Sequence, residues 1–372
     1  MQQICNNCGL TAADGNLWCH RSECSLAHVR QVLRRGDRIG DFEIEKQLGY
    51  LRTATLYIAQ RGRQRVLLKI AHADQRADYV GYLKREADLF RRLTVNKRLH
   101  QALPIWLPPD PIHPDADAYG KVDFRGTLLY YSVFEYVDGV LLRDVLNDNP
   151  QPPVREVAWW IIILSDVLNF LAQLLKNYRH EALAPECILI YEDGNGIRRP
   201  MLLDLGLYNF EGRGENWRHA YSHLAYTAPE IFQGYESRTA DAYGLGLLMY
   251  EMFAGRHPLD YKTRPEQTLR EELRRLRTST VGRTNRFRRE DLPHDVSKIV
   301  NDCISLNPEE RPRNLPDIAV PLARAYGQPP PFKSKKQTIG ERTRRSVIIG
   351  VMLVVAALVA FGVVALAFPP AA

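Results

Sequence analysis

Apolar and polar residues alternate along 42–48 (Phe-Glu-Ile-Glu-Lys-Gln-Leu), the period of a half-buried strand. Apolar runs at 56–59 and 66–70 follow at short intervals, so three short strands with turns between them are predicted. Residues 75–95 read as a helix, and 104–114, with Pro104, Pro108, Pro109, Pro111 and Pro114, as loop. A strongly apolar strand is expected over 126–137, closed by an Asp138-Gly139 turn. A long apolar helix is expected over 154–178, where Asp166, Asn169 and Gln173 interrupt the run and favour a buried helix over a membrane span. Residues 31–37 read as a short linker. The last pattern differs in kind, because 347–368 holds 22 residues without a charge. At about 1.5 Å per residue, a helix of that length crosses a hydrocarbon core of roughly 30 Å, and it has no polar face for water. Lys333, Lys335, Lys336, Arg342, Arg344 and Arg345 all precede it, so the positive-inside bias predicts a single-pass C-terminal anchor with the body in the cytoplasm.

Composition changes this picture little. The 372 residues are 45% apolar and 25% charged, enough for two or three domains or for one large domain with appendages. A net charge of +7 does not by itself argue for nucleic acid. Arginines crowd 262–290 (Arg264, Arg270, Arg274, Arg275, Arg277, Arg283, Arg286, Arg288, Arg289), either as a solvated helix and loop or as a docking face for an acidic partner or an anionic membrane. Residues 1–10 are polar, unlike the apolar run of a secretory signal.

Four of the six cysteines lie in the first 24 residues. Cys5-x2-Cys8-Gly9 and Cys19-x4-Cys24 supply four thiolates in two pairs, a donor set suited to tetrahedral zinc. The second gap is wider than usual, and His20 or His28 are alternative ligands; reduced cysteines without metal, or another metal, are the other readings. Four protein ligands would close the site, which implies a structural zinc. The stretch resembles a zinc ribbon, which implies binding of nucleic acid or protein.

Residues 178–190 read Tyr-Arg-His-Glu-Ala-Leu-Ala-Pro-Glu-Cys-Ile-Leu-Ile. They resemble the catalytic loop of eukaryotic-type Ser/Thr and Tyr protein kinases, roughly His-Arg-Asp-Leu-Lys-Pro-Glu-Asn-Ile-Leu. In that register His180 keeps the His, Glu181 replaces the Arg, Ala182 the catalytic Asp, Ala184 the Lys and Cys187 the metal-binding Asn. The resemblance extends over 38–325. Gly49 matches the first glycine of the phosphate loop, with Leu51 and Ala54 at the second and third. Lys69 matches the phosphate-pairing strand lysine, Leu67 the alanine against adenine, and Glu86 the partner of the lysine. Phe134 matches the gatekeeper, and Glu135 and Val137 lie in the hinge. Asp204-Leu205-Gly206 matches Asp-Phe-Gly, and Ala228-Pro229-Glu230 the end of the activation segment. Asp241 is implied to hold the catalytic-loop backbone, and Arg311 to pair with Glu230.

The resemblance implies a bilobal α+β protein-kinase-like fold with an N-terminal lobe over 38–137 and a C-terminal lobe over 138–325. A zinc ribbon (1–30) precedes it; a basic juxtamembrane linker (326–346) and a transmembrane helix (347–368) follow it. Phosphoryl transfer rests on positioning and charge neutralisation. With Ala182 for the base, and the soft Cys187 sulfur where a hard magnesium ion needs oxygen, the frame survives while its chemistry is depleted. The expectation is a membrane-anchored pseudokinase acting on a protein partner as scaffold or allosteric regulator. A weak or atypical ATP-dependent Ser/Thr kinase using Lys69, Glu86 and Asp204 is the alternative. A third reading makes the ribbon and the arginine-rich stretch a nucleic-acid or protein-binding module at the membrane. Retention of ATP and magnesium is left open.

Overall fold

A computed structural model describes residues 2–5, 11–12, 29–72, 78–181, 183–206, 225–232, 237–259 and 287–333. The expected transmembrane helix, three of the four cysteines expected to bind zinc (Cys8, Cys19, Cys24), Ala182 and the arginines of 260–286 lie outside them, as does the side chain of Cys5. At the N-terminus, β1 (Gln2–Cys5) pairs antiparallel with β2 (Thr11–Ala12) and with β3 (Val29–Val32).

A seven-stranded antiparallel sheet forms the N-terminal lobe. It comprises β4 (Arg38–Ile39), β5 (Phe42–Tyr50), β6 (Ala54–Arg61), β7 (Gln64–Ala71), β8 (Trp106–Leu107), β9 (Gly120–Phe124) and β10 (Thr127–Glu135). Its order is β4-β5-β6-β7-β10-β8, with β9 also on β10. Side chains on a strand alternate between faces, and β7 uses both. Val66, Leu68 and Ile70 join a smaller core with Phe42, Ile44 and Val133, while Leu67 and Ala71 face the main core. Lys69 shares the parity of Leu67 and is buried. The alternation read over 42–48 breaks at a register shift between Ile44 and Lys46, an extra residue that moves Leu48 to the main core, where it is half-buried.

Residues 31–37 are not a linker, and the lobe does not begin at 38. Val32 and Leu33 are buried in the smaller core, the Leu33 amide donates to the Tyr57 hydroxyl (3.1 Å), and the Gly36 amide donates to the Ile44 carbonyl (2.8 Å). Two apolar residues in a polar stretch carried too weak a period to be read as core.

One helix, α1 (Tyr79–Leu93), packs on the inner face of the sheet. Asp78 starts it by accepting from the Gly81 amide (2.8 Å), and Phe90 meets Phe134 edge-on (centroids 4.9 Å). The chain then passes through β11 (Gly139–Leu141) and α2 (Leu142–Asp148) into α3 (Val154–Leu174). Among the described residues α3 alone is long and apolar enough to cross a bilayer (mean hydropathy 1.7), yet 56% of that window is buried inside the protein. It packs on β13 (Arg198–Leu202), α4 (Ala240–Ala254) and α6 (Pro316–Tyr326), and α4 in turn packs on α5 (His294–Cys303). Every residue of α4 up to Phe253 is buried, which makes it the axis of the C-terminal lobe. β11, β12 (Ile188–Glu192) and β13 form a small antiparallel sheet. A separate small unit is a turn over 193–197 whose Gly194 amide donates to Lys333 (2.7 Å) and whose Asn195 amide group donates to Pro331 (3.1 Å).

Candidate active site

The β5–β6 hairpin, α1, the loop before β12 and the residues after β13 converge between the lobes. Lys69 Nζ lies 2.5 Å from Glu86 Oε2, with both side chains buried. The other Glu86 oxygen accepts from the Leu205 amide (2.9 Å), so one carboxylate joins β7, α1 and the Asp204-Leu205-Gly206 turn. Burial pushes the Glu86 carboxyl up, Lys69 pulls it down, and nearby Asp204 pushes it up again; the net direction is upward. The Tyr82 hydroxyl donates to the Gly206 carbonyl and lies 3.4 Å from Glu86 Oε1.

Across the cleft, Asp241 at the start of α4 accepts from the His180 and Glu181 amides, each at 2.8 Å. This pins a backbone that is strained at Glu181 (φ +56°). The Glu181 carboxylate accepts from Arg179 Nε (3.0 Å), so its charge is already engaged. His180 Nε2 lies 3.0 Å from Asp204 Oδ1. Gly206 has φ +70°, and a Cβ there would sit 2.1 Å from the His180 carbonyl, so only glycine fits. Cys187, on the 3-10 turn Pro185–Cys187, donates its thiol to the Ala184 carbonyl (3.0 Å); burial first, then the Asp204 charge, hold its pKa well above the ordinary value.

The phosphate-loop region folds inward. The Leu51 amide closes on the Ala54 carbonyl (2.8 Å), His72 Nε2 lies 3.0 Å from the Leu51 carbonyl, and the His72 amide donates to the Thr53 carbonyl (3.1 Å). Leu51, Arg52 and Thr53 are 0%, 4% and 3% exposed. Arg52 Nη2 reaches Thr227 Oγ1 of the other lobe (3.4 Å). A Cβ on Gly49 would sit 2.6 Å from Leu141 Cδ1. Leu67, Leu141, Leu189 and Leu205 are all buried in the same core as Leu51. At the hinge, Glu135 pairs with Val66 and donates its amide to Ile105 (2.8 Å), and Val137 is half-buried.

Arg311 meets Glu230 bidentately (2.5 and 3.0 Å) and lies over the Tyr243 ring (4.7 Å). Burial alone would push Glu230 up, but the hydrogen bonds and charge of Arg311 hold it below its ordinary value. Sequence reasoning missed Arg52 and Arg143. Arg143 donates to Glu186 (2.8 Å), Glu251 (2.8 Å) and the Tyr226 hydroxyl (2.8 Å), tying the catalytic-loop turn to α4 and the activation segment. Its signal was faint, one arginine opening a short helix. Arg52 sat beside the displaced second glycine.

The protein kinase domain family matches residues 124–318, just over half of the chain. The Ser/Thr-protein kinase PknB of Mycobacterium tuberculosis is 26% identical over 316 residues, which cover 81% of this chain and 45% of that protein. PkaA of Streptomyces coelicolor, also named a Ser/Thr-protein kinase, is 29% identical over 206 residues, covering 54% of this chain and 35% of it. The chain thus spans half or less of the length of the curated relatives it matches. A crystal structure of a double-mutant M. tuberculosis PknI kinase domain superposes with a TM-score of 0.51 at 18% identity, covering 80% of this chain and 100% of that one, a likeness of fold.

Proposed function

The chain belongs to the protein kinase domain family, and from that premise we propose that it is a membrane-tethered pseudokinase that works as a scaffold or allosteric partner for another protein. The observation that carries this reading is the buried Leu51–Thr53 turn. Arg52 reaches Thr227, and Leu51 joins the interlobe core, where the family lays nucleotide phosphates under an open glycine loop. The base position supports it: Ala182 has no group to accept a proton, and Glu181 is held by Arg179. Cys187 offers sulfur where magnesium needs oxygen. In this proposal the 347–368 helix is the anchor, the body faces the cytoplasm, and Cys5, Cys8, Cys19 and Cys24 hold a structural zinc in a ribbon that recognises the partner.

A second reading, a weak ATP-dependent Ser/Thr kinase, is favoured by the intact Lys69–Glu86–Leu205 linkage and by the names of the relatives. One experiment separates the two. The full-length chain in detergent is assayed for phosphotransfer and for a thermal shift with ATP and magnesium, beside an Asp204→Ala variant and an active control kinase. The expected outcome is no transfer above Asp204→Ala and no magnesium-dependent shift, since a ligand bound only to the folded state must raise the melting temperature. Robust transfer that depends on Asp204 overturns the scaffold reading and selects the kinase.

A further inference from the structure

His180, Cys187 and Asp204 place an imidazole, a thiol and a carboxylate within 4.8 Å of one another, all three buried. We propose that these residues bind a zinc ion at the place where the family holds nucleotide-linked magnesium. The inference rests on the reading of this cleft as unfit for magnesium-dependent transfer.

The donor set carries the proposal. One sulfur, one nitrogen and one oxygen suit a borderline ion such as zinc, whereas magnesium requires near-octahedral oxygen. Each ligand is also held in place. Asp241 accepts from the His180 amide (2.8 Å), the Leu203 amide donates to the Cys187 carbonyl (2.8 Å), and the Gly206 amide donates to Asp204 Oδ1 (3.2 Å). The Nδ1 side of the His180 ring is packed against Gly206, where a Cβ would sit 2.5 Å away, which leaves Nε2 facing Asp204. Such preorganisation matters because ligands at a metal site are oriented by what holds them. On binding, the Cys187 S–H bond breaks, its proton leaves to solvent, and the thiolate lone pair forms the bond to zinc. Counting Lys69, Glu86, Asp204, the Cys187 thiolate and the dication, the buried charges cancel. Three protein ligands leave a fourth position open. Zinc held by Asp204 would compete with nucleotide-bound magnesium for that carboxylate.

Cobalt is the probe, because its thiolate complexes absorb in the visible and near-ultraviolet, where d10 zinc is silent. The full-length chain in detergent, kept reduced and anaerobic, is titrated with cobalt beside Cys187→Ser, Asp204→Asn and Cys303→Ser variants, and melting curves verify that each is folded. The expected result is that Cys187→Ser and Asp204→Asn each lose one cobalt equivalent relative to wild type. Both should also lose one thiolate-to-cobalt component, while Cys303→Ser loses neither. The N-terminal cysteines contribute equally to all four samples and cancel in the comparison. Equal stoichiometry in wild type, Cys187→Ser and Asp204→Asn overturns the zinc site. Should Cys187→Ser fail to fold, Asp204→Asn alone decides by the same count. Phosphotransfer assayed on the same samples separates this inference from its premise: equal cobalt counts in all four samples with absent transfer refute zinc and leave the scaffold reading standing.

Discussion

Replacing Arg311 with Met should be among the most costly single changes in the C-terminal lobe. Met keeps an apolar stem over Tyr243 but removes both hydrogen bonds to Glu230. Arg311 is fully buried and Glu230 is 9% exposed, so solvent cannot replace the lost cation. Removing one member of a buried pair costs about 3–5 kcal/mol, most of it from the charge left behind. At about 2–4 °C per kcal/mol for a domain of this size, the melting temperature should fall by roughly 6–20 °C. The double variant Glu230→Gln/Arg311→Met removes that stranded charge and should recover about 1–3 kcal/mol over additivity. Dependence on pH gives an independent check. In the wild type Glu230 titrates below its ordinary value, so its stabilising contribution is present above the unfolded value and is lost as pH falls through the folded one. In Arg311→Met burial acts without the offsetting cation, the folded value rises, and acidification should relieve the defect. Urea unfolding of the detergent-solubilised chain at neutral and mildly acidic pH measures both effects. A loss under about 1 kcal/mol, or a strictly additive double variant, would refute the reasoning that this pair is desolvated and coupled.

Two further outcomes follow from the cleft. Asp241→Ala leaves the buried amides of His180 and Glu181 without their acceptor, at about 1–3 kcal/mol each, while Asp241→Asn keeps one acceptor and should lose about half as much; urea unfolding of both variants checks this, and equal losses would contradict it. Truncating the inward turn with Leu51→Gly and Arg52→Gly should cost about 2–3 kcal/mol of apolar burial at Leu51 while opening the interlobe gap, so ATP without magnesium should begin to raise the melting temperature. If nucleotide still produces no shift, closure is made by Leu67, Leu141 and Leu189 rather than by the turn.

Much of the fold was legible because it rests on local periods and on a register of motifs. The strands around Lys69, the helix carrying Glu86, the apolar helix over 154–174 and the order of Asp204, Glu230, Asp241 and Arg311 along the chain all carry their own signals. The assignment of Ala182 and Cys187 to the base and metal-binding positions rests on the same register of motifs. The sequence by itself determined which groups stand at the positions the resemblance marks: a thiol for an amide at Cys187, an alanine for a carboxylate at Ala182, a leucine and an alanine at Leu51 and Ala54 for two glycines. Tertiary structure decided where those groups point. Val32 and Leu33 enter a core only because β5 and β6 present a surface for them. Arg52 acquires a role only where Thr227, far along the chain, comes within 3.4 Å. Arg143 becomes a tie only when Glu186, Tyr226 and Glu251 converge on it. His180, Cys187 and Asp204 become one cluster because Asp241 and Gly206 hold two loops together. A periodic pattern reports the face each residue presents to its own element, whereas a contact between distant segments depends on how whole elements pack, which no local spacing encodes.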